Sequence, residues 1–276
     1  MSDNPIVSVI ISTYDRPQRL DTALASVHAQ TFTDFEVIVI DDCSPDNEAV
    51  HAVLEKWNDK FEERGVELKG IRLGENSGYQ CMPKNIGVGF SRGTYIAYLD
   101  DDNTWRPEHL SKCVAAIEAD FSTDMVYSRL CYHADEAANA AYKEKSGVEL
   151  PIGDAEGQQW NPHLLSVRNY IDTSTILHSK GAFVRLVRDS GKGWDEKLRR
   201  FGDWNFVWRW AVHGLSGKLV DAVTVDYNWH MGSMQLSRPA IEVPVCLNYS
   251  QYHAMKHDRD IELRAASSLA AAGNVT

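Results

Sequence analysis

Short β-branched runs alternate with helically spaced apolar residues through the first hundred positions, and this alternation restricts the fold more than any other feature of the chain. Ile6 to Ser12 (IVSVIIS) and Phe35 to Ile40 (FEVIVI) are near-continuous apolar runs of strand length, the pattern of strands covered on both faces. Between them Leu20, Ala23, Leu24 and Val27 recur at helical spacing, with Pro17 placed for a first turn. Val50, Val53, Leu54, Trp57 and Phe61 repeat that period, and Val66 to Leu73 and Tyr95 to Leu99 read as the third and fourth strands. Strand, helix, strand in succession predicts a parallel sheet with right-handed crossovers, hence an α/β fold. Such sheets bind ligands at the carboxyl ends of their strands.

Polar residues collect at those ends. Thr13-Tyr14-Asp15-Arg16 follows the first strand, Asp41-Asp42 ends the second, Gly74 to Gly78 follows the third, and Asp100-Asp101-Asp102 ends the fourth. Further on, Pro107 to Phe121 reads as a helix, Asp124 to Leu130 as a strand, and Asp203 to Gly214 as a helix stopped by glycine. Residues 133–165 are polar and irregular, expected as a loop or small subdomain over the site. The tail from Ala265 is rich in Ala and Ser and expected to be loosely ordered. With 28 Lys plus Arg against 39 Asp plus Glu, a net charge of -11, no overall basic field exists to gather nucleic acid or an anionic membrane. No apolar run approaches the roughly 20 residues of a membrane span. Met1 to Pro5 is a short polar lead-in, so a cytoplasmic location is expected. The five cysteines (Cys43, Cys81, Cys113, Cys131, Cys246) are scattered without a C-x-x-C pair and read as packing residues.

Three adjacent carboxylates at the end of a buried strand repel one another and are costly unless a cation or hydrogen-bond donors offset them. A hard divalent cation with oxygen ligands is one remedy; a solvated acidic turn capping the next helix is the other. Asp42 is either part of a capped turn or a carboxylate that accepts hydrogen bonds from a nucleobase or ribose. Asn76-Ser77-Gly78 and Lys84-Asn85-Ile86-Gly87 read as turn punctuation, unless Lys84 offers its ammonium to a phosphate.

Four segments carry a specific resemblance: VSVIISTYDRPQRL (7–20), FEVIVIDDCS (35–44), ENSGYQCMPKNIGVGFSRGTYIAYLDDDNTWRP (75–107) and WDEKLRRFGDWNFVWRWAVHG (194–214). The chain resembles the inverting nucleotide-sugar glycosyltransferases of family 2. That resemblance implies the GT-A fold, a Rossmann-like, mostly parallel sheet flanked by helices with a smaller C-terminal acceptor-side region. The expected organisation is a nucleotide-sugar-binding part over 1–130, an acceptor-side and catalytic-base part of the same domain over 131–240, and a C-terminal helical extension and tail over 241–276.

The resemblance also distributes roles. Thr13, Tyr14, Asp15, Arg16 and Asp42 take the nucleoside contacts, Lys84 approaches the diphosphate, and Asp100 and Asp101 belong to the donor site. Asp102, with Asp100 and His230, is expected to hold Mn²⁺ or Mg²⁺. Asn103 stands where the family often has a further Asp. Asp203 matches the general base, and its usual preceding Glu is replaced by Gly202. On its own residues Asp203 reads equally as a helix N-cap, and a lone His230 as an ordinary surface or packed side chain. Of Trp160, Trp194 and Trp204, only Trp204 is given an acceptor-side role. The expected donor is a nucleotide sugar with UDP as the family's commonest nucleotide; the acceptor hydroxyl belongs to a glycan, lipid-linked saccharide, protein or modified nucleobase. Two alternatives remain: a sugar nucleotidyltransferase, which usually starts with a Gly-rich basic loop absent from Ser12 to Arg19, and a catalytically silent nucleotide- or carbohydrate-binding protein.

Overall fold

The apolar runs become the strands of one sheet in a computed structural model, whose described residues are 4–230 other than 148, 150 and 167. In chain order the first half is β1 (Val7–Thr13), α1 (Pro17–His28), β2 (Phe35–Asp41), α2 (Asn47–Glu63), β3 (Leu68–Arg72), α3 (Cys81–Phe90), β4 (Tyr95–Asp100), β5 (Thr104–Trp105) and α4 (His109–Glu118). There follow β6 (Met125–Ala134), α5 (Glu136–Ser146), β7 (Ala155–Glu156), α6 (Pro162–Leu165), a 3-10 turn (Thr173–Thr175), β8 (Ile176–Ser179), α7 (Lys180–Ser190), α8 (Gly202–Val212) and β9 (Gly217–Trp229).

The sheet order is β3-β2-β1-β4-β8-β6-β9-β5, with β7 beside β6. As the alternation predicts, β3, β2, β1 and β4 are mutually parallel. Beyond β4 the direction changes: β4 pairs antiparallel with β8, β8 antiparallel with β6, and β6 parallel with β9, so the whole sheet is mixed. The expected boundary at residue 130 falls inside β6, a strand in the middle of this sheet. The C-terminal extension over 241–276, the tail from Ala265 and Cys246 lie outside the described residues.

Alternation along the strands serves two cores, one on each face. Val7, Val9 and Ile11 of β1 pack with Leu20, Leu24, Val27, Trp57 and Phe61 of α1 and α2. Ile10 of β1 and Ile96 and Tyr98 of β4 point the other way, into a cluster with Phe183, Trp194, Phe206 and Trp210. Trp194 and Phe206 stack at 4.1 Å between ring centroids, and both are almost fully buried. Removing such a ring typically costs about 3–5 kcal/mol.

One turn reading is corrected here. Lys84-Asn85-Ile86-Gly87 lies within α3 rather than in a turn. Gly87 is there because a Cβ would meet Ile10 Cγ2 at 2.5 Å, so the glycine lets α3 lie directly on β1. The segment expected as a loop or small subdomain over 133–165 contains α5, capped by the Asp135 carboxylate accepting from the Ala138 amide, as well as β7 and α6. Cys81, Cys113 and Cys131 are buried as packing residues, whereas Cys43 is half-buried at the end of β2 with φ +63.

Candidate active site

Parallel register brings the polar strand ends together. Thr13 of β1 stands opposite Asp41 of β2, and Ser12 opposite Asp100 of β4. Above these ends lies a cleft of about 850 Å³ walled by Thr13, Tyr14, Arg16, Asp42, Asp100, Asp101, Asp102, Asp203 and Trp204, among others. At its nucleoside end, as the resemblance assigns it, Asp42 is tied down by Ser77, whose amide donates to Oδ1 at 2.8 Å and whose hydroxyl donates to Oδ2 at 2.9 Å. Burial still pushes the Asp42 carboxyl up. Its neighbour Asp41 is committed to structure instead, accepting from the Ser44 amide at 2.9 Å and from Arg72 at 2.6 Å. Tyr14 is 44% exposed and available to stack. Asp15 is exposed, held at φ +54 with its amide donating to Ser44 Oγ, and is not part of the cleft wall.

The three aspartates at the end of β4 part company. Asp101 is buried and accepts from Thr13 Oγ1 at 2.7 Å and Arg16 Nη1 at 3.2 Å. Burial, reinforced by the adjacent Asp102 charge, raises its carboxyl to about 7. Asp100 pairs with the Lys84 ammonium at 2.8 Å. Lys84 is completely buried, also donates to Gln80, and sits 5.0 Å from the Trp194 ring centre. Lys84, assigned by resemblance to the diphosphate, is delivered by α3 to Asp100, whose charge it offsets, and is not among the residues lining the cleft. Asp102 faces the cleft, its Oδ2 lying 3.0 Å from Arg16 Nη1 and 3.2 Å from His230 Nε2. Donation from His230 and the Arg16 charge hold its carboxyl below the usual range despite burial.

Asn103 holds its loop through both ends of its side-chain amide. That amide donates to Ser174 Oγ at 2.9 Å and accepts from the Asn228 backbone amide at 3.0 Å. These bonds stitch β5, the 3-10 turn and the end of β9 into one block that presents Asp102 and His230.

Asp203 is in the first turn of α8, not at its cap. The cap is Phe201, held at φ +56 without a side-chain bond, which overturns the N-cap reading. The Asp203 carboxylate accepts from Asn169 Nδ2 at 2.8 Å. Burial pushes its pKa up, against the pull of the Trp204 amide, Asn169 and Lys84. Trp204 borders the cleft but is 8% exposed, with its indole N–H donated to the Leu165 carbonyl at 2.6 Å. Its ring belongs to the core, so a broad stacking face for an acceptor is not available.

A family model described as Glycosyl transferase family 2 matches residues 8–181. The chain belongs to that family. WcaA of Escherichia coli, named provisionally as a colanic acid biosynthesis glycosyl transferase, is 32% identical over 94% of this chain and 85% of its own length. An uncharacterized glycosyltransferase of Methanocaldococcus jannaschii is 26% identical over 86% of this chain and 75% of its own. Among solved structures, Staphylococcus aureus TarS 1-349 in complex with UDP-GlcNAc matches with a TM-score of 0.62 at 21% identity, covering 84% of this chain and 61% of that one. The chain thus spans about three fifths of that solved structure, and the shared architecture is the GT-A fold. No helix among the described residues is long and apolar enough to cross a membrane.

A divalent ion can be tested against the family 2 cleft by its donor set. Asp102 Oδ2 and His230 Nε2 stand 3.2 Å apart, close to the roughly 3 Å edge between neighbouring ligands when each lies about 2.1 Å from one octahedral ion. This oxygen–nitrogen pair would suit a divalent ion such as Mn²⁺ or Mg²⁺. Asp100, the third residue of the expected set, is paired with Lys84 at 2.8 Å. Among the described residues, three potential ligands within 4.8 Å of one another occur instead at Cys131, His133 and Asp226. There the Arg106 guanidinium already pairs with Asp226 at 2.8 Å and supplies the cation.

Asp172, a residue the sequence reading missed, borders the cleft and accepts from the Ser174 amide at 2.8 Å. Burial drives its carboxyl well upward, helped by the Asp100 and Asp203 charges. Its signal was present as Asp172-Thr173-Ser174-Thr175, a cap sequence. Arg168, Asn169 and Arg200 also line the cleft without having been singled out; only the third sits near a recognised motif.

Proposed function

We propose that this protein transfers a sugar from a UDP-sugar to an acceptor hydroxyl by single displacement, inverting the anomeric centre. The observation that carries the proposal is the convergence of Asp42, the Asp102–His230 pair and Asp203 on one cleft. TarS has been solved with UDP and with UDP-GlcNAc, which makes those two the first ligands to try here. Asp42, Thr13 and Tyr14 hold the nucleoside, while Asp102 and His230 hold the divalent ion. The ion, when bound, stabilises the charge that grows on the departing diphosphate. Asp203 takes the proton from the attacking hydroxyl. A carboxylate pushed up by burial is a stronger base than an exposed one, and Asn169 fixes the orientation of its second oxygen.

The test is a thermal-shift panel of nucleoside diphosphates and nucleotide sugars with Mn²⁺, followed by measurement of UDP release from UDP-GlcNAc. Ligand at a hundred times its Kd stabilises the native state by about 2.7 kcal/mol, a shift of several degrees for a chain of this size. The central reading fails if no nucleotide shifts the protein. Binding without any turnover of donor would identify a silent nucleotide-sugar-binding protein.

A further inference from the structure

Three arginines line the cleft, and two of them are neutralised in place. Arg16 pairs with Asp101 and Asp102, and Arg168 with Glu156. Arg200 is the most buried of the three, at 7% exposure, yet among the described residues its Nη1 has no hydrogen-bond partner and no carboxylate lies within ion-pair distance. The Phe201 ring centre lies 5.5 Å from the Arg200 guanidinium carbon. The contrast with Arg209 is direct. That side chain is 4% exposed and donates to Asn205, Ser190 and the carbonyls of Lys192 and Gly193.

A guanidinium offers five N–H donors in a planar fork that matches a phosphate or carboxylate. Burying it without an anion is strongly unfavourable, and a nearby aromatic ring compensates only in part. A cation left in that condition on a cleft wall has its counter-charge in a ligand. Arg200 lies three residues before Asp203, and Arg200, Phe201, Asp203 and Trp204 line the same cleft. With the donor diphosphate assigned by the proposed function to the Asp102–His230 end, the group left for Arg200 is on the molecule that Asp203 deprotonates.

We infer that Arg200 binds an anionic group, a phosphate or carboxylate, on the acceptor. The acceptor is then an acidic molecule, and Arg200 selects it over neutral sugars. This rests on the glycosyl-transfer reading for the word acceptor, but the anion site itself does not.

The experiment compares wild type with Arg200→Gln in Mg²⁺ and saturating UDP, which fills the donor site, and titrates inorganic phosphate while following thermal unfolding. Phosphate should stabilise the wild-type complex, with at least a tenfold weaker apparent affinity in Arg200→Gln, and UDP affinity should stay within twofold. Arg200→Gln should melt at or above the wild-type temperature, since it removes an uncompensated buried charge. Equal phosphate response in both proteins, or none in either, overturns the inference. A tenfold loss of UDP affinity in Arg200→Gln overturns the acceptor assignment by placing the donor diphosphate on Arg200. If wild type binds no UDP, the glycosyl-transfer reading fails, and the phosphate titration repeated without nucleotide still decides whether Arg200 is an anion site. Should Arg200→Gln fail to fold, Arg200→Lys keeps the charge and loses the fork: a several-fold loss of phosphate affinity is expected, and an unchanged affinity overturns the inference.

Discussion

Gly202→Ala is a small change with a large expected effect. A Cβ at that position would stand 2.6 Å from Cys81 Sγ and 3.0 Å from Tyr79 Cε1. Neither neighbour is free to retreat: Cys81 is fully buried at the start of α3, and the Tyr79 hydroxyl accepts from the Gly202 amide at 3.2 Å. Alanine would gain about 0.4–1 kcal/mol by stiffening the unfolded chain, while forcing a methyl into packed surroundings costs about 1–3 kcal/mol. The steric term wins, leaving a net loss of about 1–2 kcal/mol. Thermal unfolding should fall by about 2–8 °C. Turnover should fall as well, because Asp203 is the next residue and α8 must shift to admit the methyl. The double variant Cys81→Ala/Gly202→Ala removes the closest clash, so its loss should be smaller than the sum of the two single losses. A Gly202→Ala protein as stable and active as wild type would refute the packing argument. The same geometry accounts for the departure from the family pattern, since a glutamate at this position would need the Cβ that Cys81 and Tyr79 exclude.

Asp203→Asn should leave UDP affinity within about twofold while lowering turnover by about 10²; unchanged turnover removes Asp203 from the mechanism. Asp102→Ala or His230→Ala should abolish the Mn²⁺-dependent part of UDP binding, and a wild-type affinity equal with and without chelator would count against both. Burial lowers His109 to about 3 and His178 to about 4, so each stays neutral in the folded protein. The unfolded chain then binds more protons below about pH 6.5, and the stability that each neutral histidine contributes is lost as pH falls from there toward its folded value. For His178 the loss reaches about 2 kcal/mol by pH 5. Asp101, Asp172 and Asp203 are raised and titrate in the opposite sense, so the measurement is the wild-type minus His178→Gln stability by denaturant at pH 7 and pH 5. A difference that does not shrink by roughly that amount would mean His178 is not held neutral.

How much could be read without coordinates depended on whether a signal was local. The four parallel strands and the helices α1 and α2 were legible because their apolar period is fixed by neighbours within a few residues. The carboxyl-edge clustering of Thr13, Asp42 and Asp100–Asp102 followed from parallel topology alone. Helix α3 was obscured by Gly87 and Pro83, which weaken a helical pattern locally, and its glycine makes sense only against Ile10 on the adjacent strand. The long strand β9 follows the region where periodicity fades, and its place between β6 and β5 is settled by pairing across nearly a hundred residues.

The chemistry divides along the same line. Residue types and spacing determined that carboxylates would gather at one sheet edge, and the family match named Asp102 and Asp203 among them. Which carboxylate faces the ligand was a matter of tertiary structure: Lys84 comes up from α3 to neutralise Asp100, Thr13 and Arg16 fasten Asp101, and the end of β9 brings His230 to Asp102. Arg200 is the clearest case. Its charge is plain in the sequence, but that it is buried on a cleft wall with no carboxylate among the described residues in ion-pair distance depends on the chain segments around it, because an ion pair is defined by distance in space and not along the chain.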